Sequence, residues 1–233
     1  MPKNLNFKMV KIFVFKVDSK NEGILVDKMS LLSLKEREKL SKYKYDKDRN
    51  LSLAGRLMLF CFAERFKDEK YGEVNFVNDL DEFCKENLSD LEIVYGEIGK
   101  GEVKDRDDLF FNISHSKEYC VLALSDEEVG VDIQEIKDIR ADIAGRFFEK
   151  RDNDYIDSEE DKKRERFIEV WCAKESYAKL TGKGIGEGFS TFYENFDKME
   201  LFDSKSNELK GYLKRYEIDP DYVCFAASRN QRF

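Results

Sequence analysis

Residues 110–136 read FFNISHSKEYCVLALSDEEVGVDIQEI, and no other stretch limits the possible folds so strongly. Short runs rich in β-branched and aromatic residues, separated by polar clusters, predict strands over 110–113, 119–124 and 129–133. The last two are joined by the turn SDEE. Side chains alternate faces along a strand, so Val129, Val131 and Ile133 share a core face, and Gly130, Asp132 and Gln134 share the other. Gly130 leaves room for something to approach that second face. A carboxylate placed this way serves either a solvated sheet face or a ligand or metal site.

The remaining elements follow from periodicity. Alternation predicts a strand over 10–17, and a second over 91–95. A charged helix is expected over 33–43 and a strongly apolar one over 48–66. In the latter, Leu51, Ala54, Met58, Cys61 and Phe62 recur at helical spacing, and Leu53, Leu57 and Phe60 fill a second face. Gly55 costs such a helix about 1 kcal/mol and points to close packing. Helices over 141–148 and 165–181 follow the central strands, and LKGYLKRYEI and YVCFAAS close the chain as strands. Each half runs strand, helices, strands without strict βαβ alternation. This predicts an α+β fold of two similar halves, 1–109 and 110–233.

A chain of 233 residues buries a core without disulfides or structural metal. The net charge of −8 argues against nucleic acid or an anionic membrane as partner. Its five cysteines form no CxxC pair and lie among apolar residues, which predicts buried reduced thiols in the cytoplasm. Lys11 interrupts the apolar run MVKIFVFKV, and no small-residue cleavage site follows, so a strand is expected there and not a signal peptide. No run reaches the ~18 apolar residues of a membrane span.

Three further patterns bear on chemistry. In FIEVWCAKESYAKLTGKGIG, Trp171, Glu175 and Lys179 are four apart and line one helix face. The pair Glu175–Lys179 is either a surface ion pair or part of a site. Gly182, Gly184 and Gly186 cap that helix and could admit a ligand near the backbone. The segment LKEREKLSKYKYDKDR is basic within an acidic protein, and serves either as a solvated helix or as an anchor for a compact polyanion; Lys100 in IGKG adds a cation among glycines. Ser114 and His115 are neighbours on a strand and point apart, so they do not form a nucleophile–base pair. His115 is the only histidine, which excludes triads elsewhere and multi-histidine zinc sites.

Taken together, FNISHS, GVDIQ, RFFEK and WCAKESYAKLTGKGI resemble the signature series of the 4′-phosphopantetheinyl transferases, in their order and spacing. The resemblance is to the larger type that activates surfactin and other nonribosomal peptide synthetases. It implies a pseudo-dimer of two α+β halves with the active site between them. It implies transfer of the phosphopantetheine arm of coenzyme A to a serine of an apo acyl or peptidyl carrier protein, with release of 3′,5′-ADP. Mg²⁺, or Mn²⁺, is the implied metal. Asp132 and Glu175 match the metal carboxylates, and Glu175 also matches the group that deprotonates the carrier serine. Lys179 is expected at the diphosphate. Ser114 and His115 match residues holding coenzyme A phosphates. Lys100 matches the lysine of a YGKP loop, with Gly101 in place of proline. Arg37, Lys39, Arg49 and Ser52 lie in the region that meets the nucleotide, where one lysine position falls on Glu36. Lys174 belongs to the motif from a different face of the helix, as a structural residue.

Gln134 departs from the pattern, because many relatives carry glutamate there as a third metal ligand. Its amide oxygen is neutral and still able to bind the ion or a bound water. The rival reading is a catalytically inactive coenzyme A-binding or scaffold protein of the same fold. The resemblance also implies a monomer, and it leaves open whether fatty acid, polyketide or peptide synthesis is served.

Overall fold

The computed structural model describes residues 10–80, 84, 89–96, 99–137, 147–184, 188–231 and 233. The helix expected over 141–148 and Gly186 fall mostly or wholly outside them. The first half opens with β1 (Lys11–Lys16), α1 (Glu22–Asp27), α2 (Leu34–Leu40) and α3 (Asp46–Phe62), followed by β2 (Val74–Phe76), β3 (Ile93–Tyr95) and β4 (Gly101–Val103). Then come β5 (Phe110–Ser116), β6 (Tyr119–Ser125), β7 (Val129–Glu135), α4 (Lys150–Asp157) and α5 (Lys163–Thr181). Strands β8 (Phe192–Asn195), β9 (Glu200–Asp203), β10 (Leu209–Arg215) and β11 (Tyr222–Ser228) end the chain.

Two main sheets form, one of four strands in the order β2-β1-β6-β5 and one of five in the order β7-β11-β10-β9-β8. The hairpin β5–β6 joins the first sheet, where β6 pairs antiparallel with β1 from Lys11↔Leu124 to Lys16↔Tyr119. The sheets therefore change over in the turn between β6 and β7, beyond the boundary expected at 109/110. The hydrogen-bonding edge of β1 takes up the hairpin that the sequence pattern assigned to the second half.

Strand alternation builds four layers. Phe13 and Phe15 of β1, with Cys120, Leu122 and Leu124 of β6, face α3 in one core. Ile12 and Val14, with Val121 and Ala123, face the other way and meet Val129, Val131 and Ile133 of β7 and Cys224 and Ala226 of β11. On the far side, Val223, Phe225 and Ala227 pack against α5 residues Val170, Cys172 and Ala173. The layers are thus helix, sheet, sheet, helix, and each half is a sheet with one long helix on its outer face. All five cysteines are free and buried.

Gly130 does not leave a gap for a ligand. A Cβ built there would overlap the carbonyl oxygen of Ser176 and the amide nitrogen of Leu180, so α5 itself occupies the space. Gly55 packs closely too, with an added Cβ 2.6 Å from Ile113 Cγ2. There the obstacle is a side chain that can shift, and at Gly130 it is backbone. Gly130→Ala is expected to lower the free energy of unfolding by about 3 kcal/mol, with Gly55→Ala costing clearly less, as measured by urea denaturation. Equal effects would show that α5 does not sit on β7 this closely.

Candidate active site

Asp132 lies on the β7 face that α5 covers, and it is only 2% exposed. It is therefore not the solvated carboxylate that strand alternation left open. Burial of a charge requires partners, and Asp132 has three. Ser114 Oγ donates to its Oδ1 at 2.7 Å, Lys179 Nζ donates to the same oxygen at 2.5 Å, and Gln134 Nε2 donates to Oδ2 at 2.8 Å. Lys179 Nζ also reaches Ser114 Oγ at 2.8 Å. Four residues singled out in the sequence thus converge from β5, β7 and α5.

Along α5, Trp171, Glu175 and Lys179 are half-buried while the residues between them are buried. Of the face read from the sequence, Glu175 and Lys179 line the cleft, and Trp171 packs against Phe148 and Phe189. The Glu175 carboxyl is pushed up to about 7, first by burial and then by the Asp132 carboxylate, with Lys179 opposing. The two carboxylates sense each other, and Glu175 is poised to gain or lose a proton near neutrality. Lys174 points elsewhere. It is fully buried, donates to the carbonyls of Phe189 and Phe192 at 2.8 Å each, and pairs with Asp152 at 3.0 Å and Glu194 at 3.4 Å.

A cleft of about 370 Å³ opens over this cluster, bounded by α3, β5 and α5, with Arg56, His115, Lys100, Glu175 and Lys179 in its walls. His115 is held below the ordinary imidazole range, chiefly by burial and then by the Lys179 ammonium. Lys100 donates to Leu180 O at 2.7 Å and lies 3.4 Å from Glu128. It caps the C-terminus of α5, where Gly182 takes φ 67° and a Cβ would meet Lys100 Cδ at 3.1 Å. The glycine there makes room for this lysine.

The basic segment divides. Ser52 lines the cleft, accepting from Tyr43 Oη at 3.0 Å and from Arg56 Nη1 at 2.5 Å. Lys39 and Arg49 lie outside the cleft lining. The Lys39 ammonium is drawn over the Tyr95 ring, and Arg49 pairs with Asp46 one turn earlier at 2.9 Å. Sequence reasoning missed Arg56, whose Nε donates to Glu36 Oε2 at 2.6 Å. The available signal was a lone cation inside the apolar run LSLAGRLMLFCF. Glu36 is the counter-charge of that arginine.

Two family models match the chain in tandem. One, described as 4′-phosphopantetheinyl transferase, N-terminal, covers residues 18–127, and the other, 4′-phosphopantetheinyl transferase superfamily, covers 128–227. Their junction coincides with the changeover between the sheets. The chain is similar to 4′-phosphopantetheinyl transferase Sfp of Bacillus subtilis (strain 168), with 31% identity over 85% of this chain and 84% of that one. It is also similar to 4′-phosphopantetheinyl transferase psf-1 of Bacillus pumilus, with 34% identity over 56% of this chain and 58% of that one. Matched by family models over both of its halves, and related to Sfp through most of its length, the chain belongs to the 4′-phosphopantetheinyl transferase family.

Proposed function

We propose that the protein transfers the 4′-phosphopantetheine arm of coenzyme A to a serine hydroxyl of an apo acyl or peptidyl carrier protein. The serine oxygen bonds to the phosphorus that bears the arm, that phosphorus releases its bridging oxygen, and 3′,5′-ADP leaves. The observation that carries this reading is that Glu175 and Lys179 line one cleft, and Lys179 there is bonded to the buried pair Asp132 and Ser114. Nothing in the cluster favours the inactive alternative.

The donor set suits a hard divalent cation. Two carboxylates and an amide oxygen match the oxygen ligands that Mg²⁺ takes, with water and substrate phosphate completing the shell. Among the described residues no group of three or more His, Cys, Asp and Glu is gathered; a cation here would draw its remaining ligands from water and substrate phosphate. Bound there, Mg²⁺ would neutralise charge on the diphosphate. Asp132 and Glu175 would hold it. Gln134 would turn its amide so that the oxygen, not Nε2, faced the ion. Mn²⁺ fits the same oxygens. Lys179 supplies positive charge to the diphosphate, and Glu175 takes the proton of the carrier serine. His115 and Lys100 line the wall where coenzyme A phosphates bind. Transfer by positioning and charge neutralisation needs no covalent intermediate.

One chain supplies both walls of the cleft, which supports a monomer. Buried free thiols suit a reducing compartment, the cytoplasm. Among the described residues no helix is long and apolar enough to cross a membrane. We place the division of the halves at the SDEE turn, where the two sheets change over.

The direct test is incubation with coenzyme A, Mg²⁺ and an apo carrier, read by mass spectrometry. Gain of the phosphopantetheine mass is expected; coenzyme A binding without transfer would favour the scaffold. Asp132→Ala should lower the transfer rate by about 10³ with its circular dichroism unchanged, and Gln134→Ala should lower it far less. Gln134→Glu should stay active and need less Mg²⁺. If Gln134→Ala is as inactive as Asp132→Ala, glutamine is an essential ligand.

The raised Glu175 carboxyl makes a separate prediction in chelator. A folded-state value above the unfolded one stabilises the fold at low pH, and that contribution is lost as pH rises toward 7. Glu175→Gln, which mimics the protonated acid, should match wild type near pH 4.5 and exceed its stability by about 2 kcal/mol at pH 8, allowing for partial exposure. Added Mg²⁺ should raise the Tm of wild type at pH 8 and leave that of Glu175→Gln nearly unchanged. A variant no more stable than wild type at pH 8 would contradict the burial cost.

A further inference from the structure

Strands β5 and β7 are edges of different sheets, and edge N–H groups need partners. Here β5 side chains supply them. Val131 N donates to Asn112 Oδ1 at 3.0 Å, Ile133 N to Ser114 Oγ at 3.3 Å, and Glu135 N to Ser116 Oγ at 3.0 Å. Alternate residues of one strand thus meet alternate amides of the other, and the two sheets are joined along a polar seam.

Ser114 differs from its two companions. Besides the amide of Ile133 it bonds to Asp132 as donor and to Lys179 as acceptor. A hydroxyl has one proton and two lone pairs, and all are in use in a side chain only 4% exposed. No capacity is left for a phosphate oxygen. We propose that Ser114 is a positioning residue that fixes the Asp132 carboxylate and the Lys179 ammonium to the main chain of β7, and not a ligand of coenzyme A phosphate. This rests on the transferase reading above.

The physical need is plain. Lys179 is a flexible side chain whose ammonium already sits 2.5 Å from Asp132 Oδ1, so the direction in which the two groups meet has to be held if the cation and the diphosphate are to reach them. Ser114 shares both groups and holds them to a backbone that the seam makes rigid. Misplacement of a reacting or orienting group by about 1 Å can cost 10²-fold in rate.

The test compares Ser114→Ala, Ser114→Thr and Ser116→Ala by steady-state transfer and by calorimetric titration with coenzyme A. Ser114→Ala is expected to lose about 30- to 100-fold in kcat, with the KM and Kd for coenzyme A within about twofold of wild type. Ser114→Thr keeps the hydroxyl and should recover most of the rate. Ser116→Ala removes a seam bond of the same kind without touching Asp132, and should keep its kcat. If the alanine variant does not fold, Ser114→Cys serves, because it keeps the shape with a weak hydrogen-bonding group and should lose kcat alike. A tenfold rise in Kd for coenzyme A with kcat unchanged would overturn the proposal in favour of a phosphate contact. Equal losses of kcat in Ser114→Ala and Ser116→Ala would overturn it in favour of seam stability alone. Absence of transfer by the wild type would overturn the transferase reading instead.

Discussion

The contact between β5 and β7 decides where everything else stands. Neither strand hydrogen-bonds to the other through its main chain; each is the last strand of its own sheet. What joins them is the ladder of Asn112, Ser114 and Ser116 to the amides of Val131, Ile133 and Glu135. Main-chain pairing would have merged the sheets into one. Side-chain pairing lets them stack with Val121 and Ala123 facing Val131 and Ile133. It also holds a polar strip at their shared edge. Asp132 sits on that strip, where buried polar groups are already present to receive it.

Helix α5 then brings the second half of the chemistry. It lies on β7 because Gly130 removes the Cβ that would hold it away. Its rotation is fixed from the opposite side by Lys174, enclosed by two carbonyls and two carboxylates. A buried ion cluster of this sort adds little net stability, since desolvation offsets most of the attraction. Its geometric demand is strict, and it sets the register of the helix. With Lys174 inward, Glu175 and Lys179 face the cleft. Glu194, buried in the same cluster, is held well above the carboxylate range, chiefly by burial.

The opposite wall of the cleft shows a trade in charge. Arg56 enters from α3, and Glu36 from the basic segment meets it. Tyr95 donates to the same Glu36 carboxylate at 3.0 Å, so this wall is ordered by an internal network before any substrate arrives. The basic segment that looked from composition like a polyanion anchor is thus only partly directed at the cleft. Lys39 and Arg49 are engaged outside it.

Much of this could be read from the sequence, because strand and helix periods are local properties. The alternation in VGVDIQ separated the core face from the face of Asp132, and the four-residue spacing of Trp171, Glu175 and Lys179 named the open face of α5. Motif order identified the family, and the free buried cysteines followed from their apolar neighbours. Local pattern does not record which edge a hairpin joins, so the assignment of β5 and β6 to the first sheet came only from tertiary pairing with β1. Nor does it distinguish a glycine that admits a ligand from one that admits a helix, since both need only a missing Cβ. The saturation of Ser114, the pairing of Arg56 with Glu36 and the rise of the Glu175 carboxyl all depend on residues distant in the chain. Hydrogen-bond capacity and desolvation are set by what surrounds a group in space, and only the folded chain decides that.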